Sequence, residues 1–374
     1  MAKYIVLNTN FEVESILDQY ESIIWTQRAR EIGDFELYTL ATKELLNKLQ
    51  VGYYVMTDTF YDETADEAQL MIIEDLEIKN DAENGDKLIV TGRDLKSLLD
   101  RRIVWKQTKI DKNTSVQTAI VTLLNDAIIS PTDTKRTISN FVYDTDSGTF
   151  PTIKKEIQYV GESIYDCVND LCEKYHLNYE IVLRFTDKKF HMRIVRPVDH
   201  GWDQTDNPPV IFSSKFNNLR NSSYKELTSP LKNVALVHGE GDEYNSIKTD
   251  IGSNDYEGLA RRETFVNCSD MSQELEDGTI YSDATYTNMI KEKAQKELNK
   301  INKDNKVYEG EADNVRSYKY GVDYTVGDIV ELVNEYELDN KVYVKEMVLS
   351  ESTSGITLIP TFKSLREEED EEES

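Results

Sequence analysis

The chain has 374 residues, with 43 Lys and Arg against 70 Asp and Glu and a formal net charge of −27. A surface that acidic repels phosphate, which argues against nonspecific binding to nucleic acid or to an anionic membrane as its business. With 39% hydrophobic residues and 22 Tyr against 3 Trp, the chain has material for about two to four domains and for tyrosine-rich contact faces.

The N-terminus, MAKYIVLNTN, has no long apolar run, so neither a secretory signal nor a membrane span is expected there. Ile23 and Trp25 alternate with polar residues, as do Phe35 and Leu37, and that period of two predicts a hairpin with one buried face. Leu45, Leu46 and Leu49 fall on one side of a short predicted helix. Met71 and Ile73, then Leu76 and Ile78 after a shift in phase, mark another strand region. Glu83-Asn84-Gly85-Asp86 reads as a tight turn, because Asn-Gly supplies positive φ angles readily. Leu88 and Val90 return, and Leu95, Leu98, Leu99 and Ile103 take up helical spacing. Residues 1–104 are thus expected to form a mostly β domain with a closing helix.

Residues 105–205 change character. Val116, Ile120, Leu123, Leu124 and Ala127 predict a helix capped by Asn113 or Thr114 and stopped near Pro131. Ile164, Val168, Leu171, Cys172 and Tyr175 predict a second, begun by Ser163. A hairpin follows, Tyr179-Ile181-Leu183-Phe185 with Phe190-Met192-Ile194, giving a compact α+β unit. Residues 201–209 (GWDQTDNPP) are dense in breakers and read as a linker.

A third segment, 206–365, is expected to be β with a helical insertion at about 256–304. Val234, Leu236 and His238 suggest a strand. The helix runs from Ser282 through Tyr286, Met289, Ile290, Ala294, Leu298 and Ile301, and strands return at 328–333, 341–349 and 356–362. Residues 366–374, REEEDEEES, cannot build a core and are expected to be a disordered, solvated tail. Cys167, Cys172 and Cys268 are too few for a disulfide framework and read as buried thiols of a protein made in a reducing cytoplasm.

Signatures of chemistry are missing: there is no HExxH, GxSxG, GxxxxGK[ST] or CxxC. His176, His191, His200 and His238 form no ligand pair at helical spacing. His238-Gly239-Glu240-Gly241-Asp242 lacks the third glycine and the base of a phosphate loop and reads as a strand-ending turn. Asp203, Asp206, Asp242, Asp250 and Asp255 match no EF-hand spacing. No catalytic residue, metal site or cofactor is assigned. The candidate site residues are two basic pairs in an acidic chain, Arg101-Arg102 and Arg261-Arg262, as contacts with carboxylates of another subunit. The plainer reading is arginines at solvated helix or strand ends.

Four segments in order carry a resemblance: Trp25…Gly33-Asp34-Phe35; Gly92-Arg93-Asp94-Leu95…Leu98-Leu99…Arg101-Arg102; Arg261-Arg262-Glu263…Val266; and Tyr324-Thr325-Val326-Gly327-Asp328-Ile329-Val330. Between roughly Ile23 and Phe362 the chain resembles the siphophage tail-tip (baseplate hub) proteins, which are similar to the hub proteins of contractile tails. The resemblance implies an α+β protein with two barrel-like, mostly antiparallel β domains, an α+β domain and a helical insertion. It implies a homotrimer at the distal tip of a virion tail, whose six similar barrel units join a threefold tip to a sixfold tube. Implied partners are the tail tube or distal tail protein, the tape measure protein and a separate spike, fibre or receptor-binding protein, with DNA passing through without specific binding. Only the acidic tail follows the last predicted strand, which implies a minimal hub without its own receptor binder or wall-degrading enzyme. A host-surface (glycan or receptor) binding tail protein is the alternative, and a cell-wall hydrolase stands behind it.

Overall fold

A computed structural model describes residues 3–62, 64, 66–80, 85–241, 246–274, 278–302, 306–312, 318–333 and 340–364. The chain forms two compact units, one of Met1–Ser223 with Tyr308–Ser374 and one of Tyr224–Val307. The acidic tail at 366–374, residues 83 and 84 of the expected tight turn, and Asp242 lie outside the described residues.

In the first unit the predicted hairpin is present as Ser22–Arg28 and Asp34–Leu40, with Ile23 opposite Leu37 and Trp25 opposite Phe35. The sheet continues antiparallel through Lys87–Asp94, Met71–Lys79, Tyr54–Thr57 and Tyr4–Leu7 to an end strand at Val13–Leu17. The phase shift between Ile73 and Leu76 is a β-bulge: Ile73 faces Gly92 while Asp75 faces Thr91, leaving Glu74 as the extra residue. Beyond the bulge Leu76 packs on the core, but Ile78 is exposed.

On the hairpin's other side runs the 13-residue strand Asn340–Ser352. Along one edge it pairs first with Ile329–Val333 and then with Ser22–Arg28, where Leu349 stands opposite Trp25; its other edge takes Gly355–Ser364. One long strand therefore fastens the last strands of the chain to the first hairpin. Tyr4, Ile23, Trp25, Phe35, Leu37, Val90 and Leu349 share the core beneath it. The sheet is an open path, and no closed barrel is present among the described residues. The α+β class holds at that coarser level.

A second core of this unit lies under the helices Val116–Leu124 and Ile164–Lys174, whose predicted stripes are buried against the hairpin Asn178–Arg184 and Lys189–Val195. The cap of the first helix is Ser115, which accepts from Thr118 N–H at 3.1 Å, not Asn113 or Thr114. Asn113 is in the left-handed region at φ +70°, a conformation incompatible with an N-cap, which is extended. Ser163 caps the second as expected. Ile103 leaves the predicted helical stripe: helix Ser97–Asp100 ends early because Val104 N–H and Ile164 N–H bond to Glu162 O and Arg102 O, and Ile103 turns outward. The 201–209 segment is tied rather than loose, with Val210 N–H donating to His200 O and Lys341 paired with Asp199 and Asp203.

In the second unit Val234–His238 lies between antiparallel Lys248–Ile251 and parallel Glu263–Asn267. Helix Asp283–Ile301 packs Tyr286, Ile290, Ala294 and Leu298 on Ala235, Val237, Val266 and Cys268. The expected strand is there, with Val234, Ala235 and Val237 buried and Leu236 exposed. All three cysteines are free and buried. No helix among the described residues is long and apolar enough to cross a membrane.

Candidate functional site

The Gly33 and Gly92–Arg102 motifs meet at one corner of the first unit's sheet. Asp94 ends its strand with its carboxylate turned inward, where it accepts N–H bonds from Gly33 and from Lys96, each at 2.9 Å, while Asp94 N–H donates back to Gly33 O at 2.9 Å. Gly33 has no room for a side chain: a Cβ would lie 2.5 Å from Thr26 O. Lys96 is buried, donates to the carbonyls of Arg28, Ala29 (3.3 Å) and Glu31 (3.2 Å), and holds its ammonium 3.7 Å from Asp94 and 5.6 Å from the Tyr179 ring centre. Burial pushes the Asp94 carboxyl up and the Lys96 ammonium down, and the attraction between them opposes both shifts. The residues between the two strands of the hairpin are thereby clamped by one cation.

Gly92 sits beside the bulge, where the paired strand's backbone comes close, since a Cβ there would fall 1.8 Å from Ile72 O and 2.8 Å from the Phe35 ring. The bulged residue beside it has a purpose of its own. Glu74 accepts from Arg93 at 2.6 Å and from Arg101 at 3.0 Å. Burial would raise its carboxyl, but those bonds outweigh it and hold Glu74 below the usual carboxylate range.

The candidate subunit-contact arginines thus separate. Arg101 is spent on Glu74, whereas among the described residues Arg102 donates only to backbone, to Arg136 O at 3.0 Å and to Arg101 O at 2.9 Å. In the second unit Arg261 pairs with Glu263 at 2.6 Å, and Arg262 donates its side chain to Thr228 O and its N–H to Asn233. The fourth motif is also structural. Gly327, at φ +97°, leaves no space for a side chain against Asn178, whose amide donates to Gly327 O at 3.1 Å and accepts from the Tyr343 hydroxyl at 2.6 Å. Asp328, raised by burial, accepts N–H bonds from Thr325 and Val198.

Sequence reasoning missed a second charged set on the face of the α+β hairpin opposite the helices, where His191 and Glu67 are buried. His191 has Asp144 2.8 Å from Nδ1 and Asp187 3.0 Å from Nε2; Arg184 joins Asp144 (2.9 Å) to Glu67 (2.6 Å), and Arg193 joins Glu67 (2.8 Å) to Glu180 (2.7 Å). Burial raises Asp144, but the bonds from His191 and Arg184 overcome it and keep the group low. The available signal was Glu180, Arg184, His191 and Arg193 at alternating positions of the two strands. Among the described residues no group of three or more His, Cys, Asp or Glu is placed to hold a metal ion.

This geometry is a frame with its charges turned on one another. The model of the family described as Siphovirus ReqiPepy6 Gp37-like protein matches residues 4–362. The chain belongs to that family. The resemblance to siphophage tail proteins seen in the four motifs is therefore borne out. The chain shares its fold with the 43 kDa tail protein of prophage MuSo2 from Shewanella oneidensis, at 13% identity and a TM-score of 0.57 over 97% of this chain and 98% of that one. It shares it also with a tail protein from Neisseria meningitidis MC58, at 12% identity and a TM-score of 0.55 over 97% and 96%. No curated protein matches it.

Proposed function

We propose that this siphovirus protein is a structural, non-enzymatic subunit of a trimeric hub at the distal tip of the tail. The observation that carries the reading is the strand Asn340–Ser352, which hydrogen-bonds the chain's last strands to its first hairpin and makes one continuous frame. A hub must transmit the geometry of a tube to a tip without deforming, and a continuous sheet with clamped corners suits that demand. Membership of a siphovirus family and the fold of phage tail proteins support the same reading.

In this reading segments 1–104 and 206–365 are the two barrel-like contributions of each copy, with 105–205 beside them. Three copies present six similar units to a sixfold tube, beside the tape measure protein and a separate spike, fibre or receptor-binding protein. DNA leaves through the lumen, and the net charge of −27 keeps phosphate from adhering. The test is location: antibody to this chain should decorate the distal tail tip of intact virions. Decoration of the capsid, or a virion without the chain, contradicts the proposal.

A further inference from the structure

Arg102 is tied to Arg136, which lies over an exposed tryptophan. Trp105 is 69% exposed, with the Arg136 guanidinium over its ring at 5.6 Å from the centroid. Arg136 is held there by donating to Ile103 O at 2.7 Å, and Arg102 donates to Arg136 O. Backbone bonds between Val104 and Glu162 and between Gly161 and Val104 bring the exposed Val160 to the same edge as Ile103 and Trp105. Lys106 and Lys135 are exposed nearby in the chain. The Glu162 carboxylate is turned to Val160 N–H at 2.6 Å. Among the described residues no carboxylate pairs with Arg102 or Arg136. In a chain with 70 acids and 43 bases, two such guanidiniums, one of them over an exposed indole, have the make-up of a protein-contact centre.

The same unit carries a surface of opposite character. The strand Val13–Leu17 ends the sheet, pairing with Tyr4–Leu7 on one side and with no strand on the other among the described residues. Val13 is 64% and Ile16 57% exposed. Glu12, Glu14 and Asp18 are exposed beside them, and no described cation pairs with Glu14 or Asp18. A bare edge strand with apolar residues is a site that proteins normally cover.

We propose that the Trp105–Arg102–Arg136 face of one copy docks against the Val13–Leu17 edge of the next copy. The proposal rests on the trimeric reading above and names its contact. Two unlike faces on one chain join copies head to tail, the arrangement that a ring of three requires, whereas a self-complementary face stops at two. Copies at −27 repel at long range, so the approach is decided where unpaired cations meet unpaired carboxylates.

The test is assembly of the full chain, followed by light scattering over a concentration series. Arg102→Glu with Arg136→Glu should raise the concentration needed for assembly by about 100-fold, as should Glu14→Lys with Asp18→Lys. A chain carrying all four changes should assemble again, because the pairs are restored with reversed sign. Trp105→Ala, which leaves the charges alone, should weaken assembly by about tenfold or more, with circular dichroism verifying that each variant is folded. Reversal and Trp105→Ala variants that assemble as the wild type does would overturn the docking face and leave the trimer standing. A wild type that stays monomeric at every concentration would overturn both.

Discussion

The Lys96 ammonium lies 3.7 Å from the Asp94 carboxylate, inside the protein, and is the cation that holds three carbonyls of the Trp25–Phe35 hairpin turn. Both groups are normally surface residues, and their burial is tolerable only because each polar atom has a partner. Lys96→Met removes the cation while keeping most of the side chain's volume. It should cost about 3–5 kcal/mol, because Asp94 and the carbonyls stay buried without it. Urea unfolding measures this, and Lys96→Met with Asp94→Asn should cost less than the sum of the single changes.

Gly92 makes a sharper prediction. With a Cβ destined for 1.8 Å from Ile72 O, Gly92→Ala must push apart two central strands. The expected loss is about 3 kcal/mol or more, read as a fall in the melting temperature. A variant as stable as the wild type would mean that the two strands do not approach as closely as described.

Glu74 governs part of the acid response. Its folded carboxyl is held below its ordinary value of 4.5, so the native state binds fewer protons than the unfolded state near that pH. Its contribution is present above about pH 4.5 and is lost as pH falls through the folded value. Glu74→Gln should therefore cost about 1 kcal/mol near neutral pH, and the gap from wild type should close on acidification. A pH-independent gap in urea unfolding would contradict the assignment.

The helix caps separate neighbouring residues. Ser115→Ala should cost about 1 kcal/mol, whereas Thr114→Ala should change little, since only Ser115 accepts the Thr118 N–H. Thermal unfolding of the two variants distinguishes them.

Local pattern made much of this legible. The hairpin was visible because Ile23, Trp25, Phe35 and Leu37 alternate, and the bulge because the alternation slips between Ile73 and Leu76. The helix stripes of Val116–Leu124 and Ile164–Lys174 were visible for the same reason, since burial on one face imposes a period. Val234, Leu236 and His238 made the second unit's strand legible but not its buried face, since Leu236 outweighs Ala235 in a sequence pattern. The helix instead packs on Ala235 and Val237, where small size allows close approach. The corner was beyond local reading. The carbonyls that Lys96 holds lie more than sixty residues away, and nothing in the run Leu95-Lys96-Ser97 announces a buried lysine. The same holds for Arg101 and Arg102, adjacent in sequence yet divided between an internal carboxylate and an open face by a bulge at Glu74.

The proposed trimeric hub fixes the mass that the purified protein should have in solution. Light scattering on the purified chain, with negative-stain images of the same sample, should give three chain masses and rings with an open centre. A single chain mass at every concentration, with no rings, would contradict the account.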